Sequence, residues 1–130
     1  MLAQREKILV VGMGPVGMTA ALALGRLGLP VTLLEKGADL STESRASTFH
    51  PSSLEILDEL GVAEEVIATG LKAPGFQYRG RNRELIAHLD MGLLAEDTRF
   101  PFRFQNEQGN LTRIIRRHLE TLPNVTMRYA

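Results

Sequence analysis

The stretch Ile8–Lys36, ILVVGMGPVGMTAALALGRLGLPVTLLEK, constrains the fold more than any other part of the chain. It reads as an apolar strand, a glycine-rich turn, a helix, a tight turn, a second strand and an acidic residue. Gly12, Gly14 and Gly17 stand at G-x-G-x-x-G spacing, directly after Ile8–Val11 and at the start of the helical pattern. In that setting each glycine has a physical task. The first allows the tight turn, the second lets the backbone approach a pyrophosphate, and the third lets the helix pack close to the strand. Pro15 pre-sets the helical φ at a first-turn position, where its missing N–H costs nothing. The unpaired amides and dipole of such a helix start suit a phosphate group.

The short continuous run Ile8–Val11 predicts a parallel strand buried on both faces. From Val16 to Leu27 the helix is apolar on nearly every side, which predicts a buried helix stopped by Gly28 and Pro30. Val31–Leu34 is the second strand. Glu35 ends it 18 residues beyond Gly17, where a carboxylate can accept hydrogen bonds from ribose hydroxyls and disfavours a 2′-phosphate.

A polar loop, Gly37–His50, follows around Arg45. The next convincing parallel strand is Val125–Tyr129, about 90 residues on, so residues 37–110 are expected to hold a large insertion. That favours an FAD-type nucleotide fold over the NAD type. Within the insertion, Ser52 and Glu55 stand at capping-box spacing ahead of the stripe Leu54, Leu57 and Leu60. Ala63–Ala68 is a helical turn, and Phe76–Leu89 is a hairpin whose tip carries Arg79, Arg81 and Arg83 as a solvated turn. Met91–Arg103 shows no period and is expected to be loop. Leu111, Ile114, Ile115, His118, Leu119 and Leu122 define an amphipathic helix with Asn110 as its N-cap. The fold class expected is α/β: a Rossmann-like parallel sheet binding FAD or NAD(P), with an inserted helical and hairpin segment, and incomplete at its C-terminal side.

Composition narrows the partners. The chain has 130 residues, 15 Lys plus Arg against 15 Asp plus Glu, and no cysteine. A balanced charge provides no field for nucleic acid or an acidic membrane. The uncharged run Ile8–Gly25 resembles a membrane span only superficially, since its glycines stand at motif spacing. The absence of cysteine removes thiolate chemistry and fits a reducing, cytoplasmic compartment. No metal-ligand spacing is present. His50 reads as a helix-entry residue beside Pro51, and His88 and His118 as ordinary strand and helix residues.

The segments GMGPVG, LLEK, SRASTFHPSSLEILDELGV and EQGNLTRIIRRHL, in this order, resemble the FAD-dependent aromatic-ring hydroxylases of the p-hydroxybenzoate hydroxylase type. The resemblance runs from about Lys7 to Tyr129. It implies that Gly12, Gly14 and Gly17, with Pro15 and Val16, cradle the FAD pyrophosphate, and that Glu35, with Lys36 beside it, binds the adenosine ribose. It further implies that Arg45 reaches the phosphates and ribose. Gln108 would hydrogen-bond the cofactor near its ribityl–phosphate portion, with Gln105 a competing candidate. No catalytic residue is assigned. Members of that family bind FAD, take hydride from NADH or NADPH, and use dioxygen to hydroxylate an aromatic substrate.

The sequence stops before the family's later Asp-Gly segment and Gly-Asp motif. The expectation is therefore the N-terminal part of a longer hydroxylase, binding FAD weakly through the ADP half and not hydroxylating alone. In the 3-2-1-4-5 strand order the edge of Ile8–Val11 would then lie open. A second copy in a homo-oligomer or a further C-terminal portion would cover it. The rival readings are a non-catalytic nucleotide-binding module and a flavoprotein of another reaction type, a halogenase or a reductase.

Overall fold

The computed structural model describes residues 7–43 and 46–130. In chain order the elements are β1 (Ile8–Val11), α1 (Pro15–Arg26), β2 (Val31–Glu35), β3 (Thr48–Phe49), α2 (Pro51–Glu59), α3 (Ala63–Ile67), β4 (Leu71–Ala73), β5 (Gly75–Arg79) and β6 (Leu85–Asp90). A 3-10 turn (Met91–Leu94), β7 (Arg103–Gln105), α4 (Gln108–Glu120) and β8 (Val125–Tyr129) complete it. The chain divides into two compact units, Met1–Arg45 with Gln108–Ala130, and Ala46–Glu107.

The first unit is built on a parallel sheet of order β1-β2-β8. Ile8 pairs with Val31, and Val31 with Val125, so three apolar residues stand side by side on one face. That face packs on α1. A side chain added at Gly17 would meet Val10, and one added at Gly25 would meet Val125 and Leu122. Met18, Ala21, Leu22 and Gly25 are the buried residues of α1, while α4 buries Leu111, Ile114, Ile115 and Leu119. Asn124 joins the ends of these elements, its amide donating to the carbonyls of Gly25 at 2.8 Å and Leu29 at 2.7 Å.

Two expectations fail here for one reason. Strand β1 is not buried on both faces: Leu9 is 63% exposed and Val11 81%. Helix α1 is not buried all round either, since Val16 is 83% exposed and Leu27 75%. Within this unit the sheet is covered on a single face, so alternate strand residues and the outer side of α1 meet solvent. Among the described residues β1 has one strand neighbour, β2.

The second unit holds an antiparallel sheet of order β3-β7-β4 and the hairpin β5-β6. Phe104 of β7 is fully buried, its ring centroid 6.0 Å from that of Phe49 across the β3–β7 pair. The hairpin matches the sequence reading, with an irregularity between Tyr78 and Arg79 and Arg83 in the left-handed region at φ 64°. Its tip is held locally, by Arg79 donating to Gln77 Oε1 at 3.0 Å and to the Arg83 carbonyl at 2.9 Å.

Three details differ from expectation. Strand β7 and the 3-10 turn occupy the end and start of what reads as featureless sequence. Ser52 and Glu55 form no capping box, because α2 opens at Pro51 with exposed His50 as its N-cap residue and no side-chain cap. Pro51 fixes the helical φ at the first position, which leaves Ser52 already inside the helix. Helix α4 begins at Gln108, so Asn110 lies within its first turn and is not the N-cap.

Asn106 joins α3 to β7 from a buried position. Its Nδ2 donates to the Val66 carbonyl at 3.1 Å and to Thr69 Oγ1 at 2.8 Å. Asn106→Ala removes both donors and is expected to destabilise the second unit by about 1 kcal/mol, read as a lower urea midpoint.

Candidate functional site

The site grows from the junction of β1 and α1. Gly12 adopts φ +101°, a conformation that side chains disfavour, while its N–H keeps the ladder going by donating to the Leu34 carbonyl at 2.7 Å. The turn is completed by Gly14, the N-cap residue of α1, with an ordinary extended φ of −75° and ψ of 178°. Pro15 follows at the first helical position. The amides of this first turn have no carbonyl behind them within the helix, so they face outward as a ready anion cradle.

These residues open on a groove of about 640 Å³, all within the first unit. Of the residues singled out from the sequence, Gly12, Gly14, Pro15, Glu35, Lys36 and Gln108 line it. Gly17 does not. It sits beneath the turn, where an added Cβ would strike the Gly12 carbonyl. Val16 is not a lining residue and projects into solvent. Arg45 lies outside the described residues. Of the two competing glutamines, Gln108 lines the groove, whereas Gln105 sits in β7 and accepts from the Thr48 hydroxyl at 3.2 Å.

The sequence reading did not single out Met13, Asp39, Ser41, Glu43, Gly109 and Thr112, which also line the groove. The polar loop after Glu35 carried a composition signal for three of them, but no spacing rule. Gln108, Gly109 and Thr112 come from the first turns of α4, so two helix starts border one cavity. Both dipoles favour negative charge there.

Glu35 is held by two backbone amides from different loops. Its Oε2 accepts from the Met13 N–H at 2.8 Å and its Oε1 from the Gly37 N–H at 3.0 Å. The Met13 bond, then the Gly37 bond, hold its carboxyl below the ordinary range, against the opposing effect of desolvation. Asp39 is also lowered, first by the Leu40 N–H and then by Arg116, whose guanidinium lies 2.7 Å from it. Three carboxylates, Glu35, Asp39 and Glu43, therefore stand beside Lys36 along the loop side of the groove.

Whether a dinucleotide fits can be tested on the glycines. Gly12 is required by its φ, and Gly17 by its contact with the Gly12 carbonyl. Gly14 is required by neither, since its φ is ordinary and an added Cβ would meet nothing within 4 Å. A methyl there would stand in the groove, so its absence keeps the approach to the first amides of α1 clear. The residues fit a pyrophosphate lying against the turn.

A family described as an FAD binding domain matches residues 5–130. The chain belongs to the FAD-binding domain family. This FAD-binding chain is 37% identical over 124 residues to para-nitrophenol 4-monooxygenase of Pseudomonas sp. (strain WBC-3), covering 95% of the chain and 31% of the relative. It is 33% identical over 129 residues to 6-hydroxy-3-succinoylpyridine 3-monooxygenase of Pseudomonas putida (strain DSM 28022 / S16), covering 99% of the chain and 33% of the relative. The crystal structure of p-nitrophenol 4-monooxygenase from Pseudomonas putida DLL-E4 superposes with a TM-score of 0.89 at 38% identity, over 95% of this chain and 32% of that one. The chain thus spans about a third of the length of these two relatives. None of the helices among the described residues is long and apolar enough to cross a membrane.

Proposed function

We propose that this chain is the FAD-binding portion of a flavin-dependent monooxygenase that hydroxylates an aromatic compound with NADH or NADPH and dioxygen. The observation that carries the reading is Gly14, a glycine needed by neither the backbone nor the packing and placed where a pyrophosphate would lie. The relatives named above are monooxygenases of a nitrophenol and a pyridine, which supports an aromatic substrate class. Residues 1–130 are then the N-terminal part of an FAD-binding domain, in which 37–110 carry an insertion that begins the substrate-binding elements. A cytoplasmic location, where nicotinamide donors are available, belongs to the same reading.

In this role the chain binds and orients. The turn Gly12–Gly14, with Pro15 setting the helix start, and the outward amides of the first turn of α1 hold the pyrophosphate, while Gly17 lets the helix lie close beneath the turn. Glu35, next to Lys36, accepts from the adenosine ribose through the lone pairs its backbone bonds leave free. Gln108, at the start of α4, donates to the phosphate–ribityl side. Arg45 adds a fixed positive charge with forked donors. The carboxylates beside Glu35 disfavour a 2′-phosphate, so NADPH is a poor occupant of this groove even where it is the electron donor. Bound FAD supplies the redox and oxygen chemistry, which no side chain can provide.

The test uses the protein that carries these residues, supplied with FAD, NADH or NADPH, and a panel of phenols and hydroxypyridines under isotopically labelled dioxygen. The expected product carries one labelled hydroxyl oxygen and consumes one nicotinamide. Retention of FAD with no labelled product from any aromatic substrate would overturn the monooxygenase reading.

A further inference from the structure

Resting on the nucleotide-site reading above, the geometry points to a second task for Glu35: we propose that it is a positioning residue, which fixes the Met13 peptide and so sets the glycine-rich turn before any nucleotide arrives. The carboxylate spans two loops that are far apart in sequence. Its Oε2 holds the Met13 N–H at 2.8 Å, from the turn after β1, and its Oε1 holds the Gly37 N–H at 3.0 Å, from the loop after β2. Met13 lies between the two glycines that shape the cradle, and its own side chain is 2% exposed. The Met13 peptide is thus pinned on both sides, by an apolar anchor and by a charge-assisted bond.

The need for such a clamp follows from the glycines themselves. A turn with Gly12 at φ +101° and Gly14 two residues on has more conformational freedom when unfolded than one without glycines. Without a restraint, a ligand would have to order the turn as it binds, and that ordering subtracts from affinity. The ladder bond from Gly12 to Leu34 fixes the first glycine. The Glu35 bond fixes the next peptide. Each carboxylate oxygen has a second acceptor direction, so holding the turn and accepting a ribose hydroxyl do not compete.

The two tasks separate experimentally. If Glu35 served the ribose alone, Glu35→Gln would weaken binding of ADP and leave unchanged an ADP analogue lacking the ribose 2′ and 3′ hydroxyls. If it positions the turn, affinity for both ligands falls, about tenfold for the analogue as well, the scale of one charge-assisted hydrogen bond. A second measurement needs no ligand. In the free chain the Met13 amide proton is expected to resonate downfield and to follow the titration of the Glu35 carboxyl. Lys36, Asp39 and Glu43 border the same groove, with Arg116 paired to Asp39, so Asp39→Asn separates the titration of that neighbour. In Glu35→Gln the Met13 resonance moves upfield, loses its titration and exchanges about tenfold faster or more. A Met13 amide that neither titrates with Glu35 nor changes its exchange in the variant overturns the positioning role. So does a loss of affinity confined to the hydroxyl-bearing ligand. Failure of wild-type chain to bind ADP would instead count against the nucleotide-site reading, while the ligand-free amide measurement still decides the role of Glu35.

Discussion

Alanine at position 17 is expected to lower the stability of the first unit by about 2 kcal/mol or more, read as a drop in the urea midpoint at unchanged slope. The added methyl would strike the Gly12 carbonyl oxygen and lie 3.2 Å from its carbon, with Val10 Cγ1 at 3.5 Å. The decisive point is that the obstacle is backbone. Gly12 cannot retreat, because its N–H is tied to the Leu34 carbonyl and its φ of +101° leaves few alternatives. A glycine-to-alanine change inside a helix gains about 1 kcal/mol in propensity, too little to offset overpacking against an immobile partner, which here falls at the upper end of the usual range, about 3 kcal/mol or more. Gly25 provides the contrast. There the clash is with the side-chain ends of Val125 at 2.6 Å and Leu122 at 2.9 Å, which can turn aside. The same substitution at position 25 should cost less. A Gly17→Ala chain as stable as wild type would contradict the close approach of α1 to the turn.

Gly14→Ala should do the reverse, sparing the fold and abolishing binding. The backbone at Gly14 is one that alanine adopts readily, and its Cβ meets nothing within 4 Å. The free chain should lose less than about 1 kcal/mol, the scale of a changed N-cap residue. Affinity for FAD or ADP should fall about 100-fold, because the methyl stands where the pyrophosphate meets the amides of α1. Thermal melts read both effects at once: the ligand-free midpoint stays, and its rise on adding ADP is lost. Together the two variants separate a glycine that the fold needs from one that the ligand needs.

Much of the first unit was legible because its signals are local. The apolar run before Gly12, Pro15 at a helix start, Gly28 after the helix and Glu35 at a strand end each lie within a few residues of what they control. The placement of β8 beside β2 was legible too, since both strands are apolar and the intervening sequence offers no other convincing parallel strand. The sheet β3-β7-β4 was not. Its strands have two or three residues, too short for any period, and Thr48 meets Gln105 across 57 positions. Leu9, Val11 and Val16 were misread as buried because an apolar residue does not say how many layers cover it. The misread capping box shows a local rule losing to a stronger one, as Pro51 starts the helix before Ser52 can cap it. In the site, residue types were legible and acceptor geometry was not. Glu35 read as a ribose partner, while its bonds to Met13 and Gly37 depend on how two loops meet.

On the proposed reading, the groove beside Gly14 takes FAD by its ADP half. Calorimetric titration of the chain with FAD, ADP and FMN tests it most directly. ADP is expected to compete with FAD for a single site, FMN not to compete, and Gly14→Ala to weaken both adenine ligands about 100-fold. FMN competing as well as ADP, or undiminished FAD binding by the Gly14→Ala chain, would contradict it.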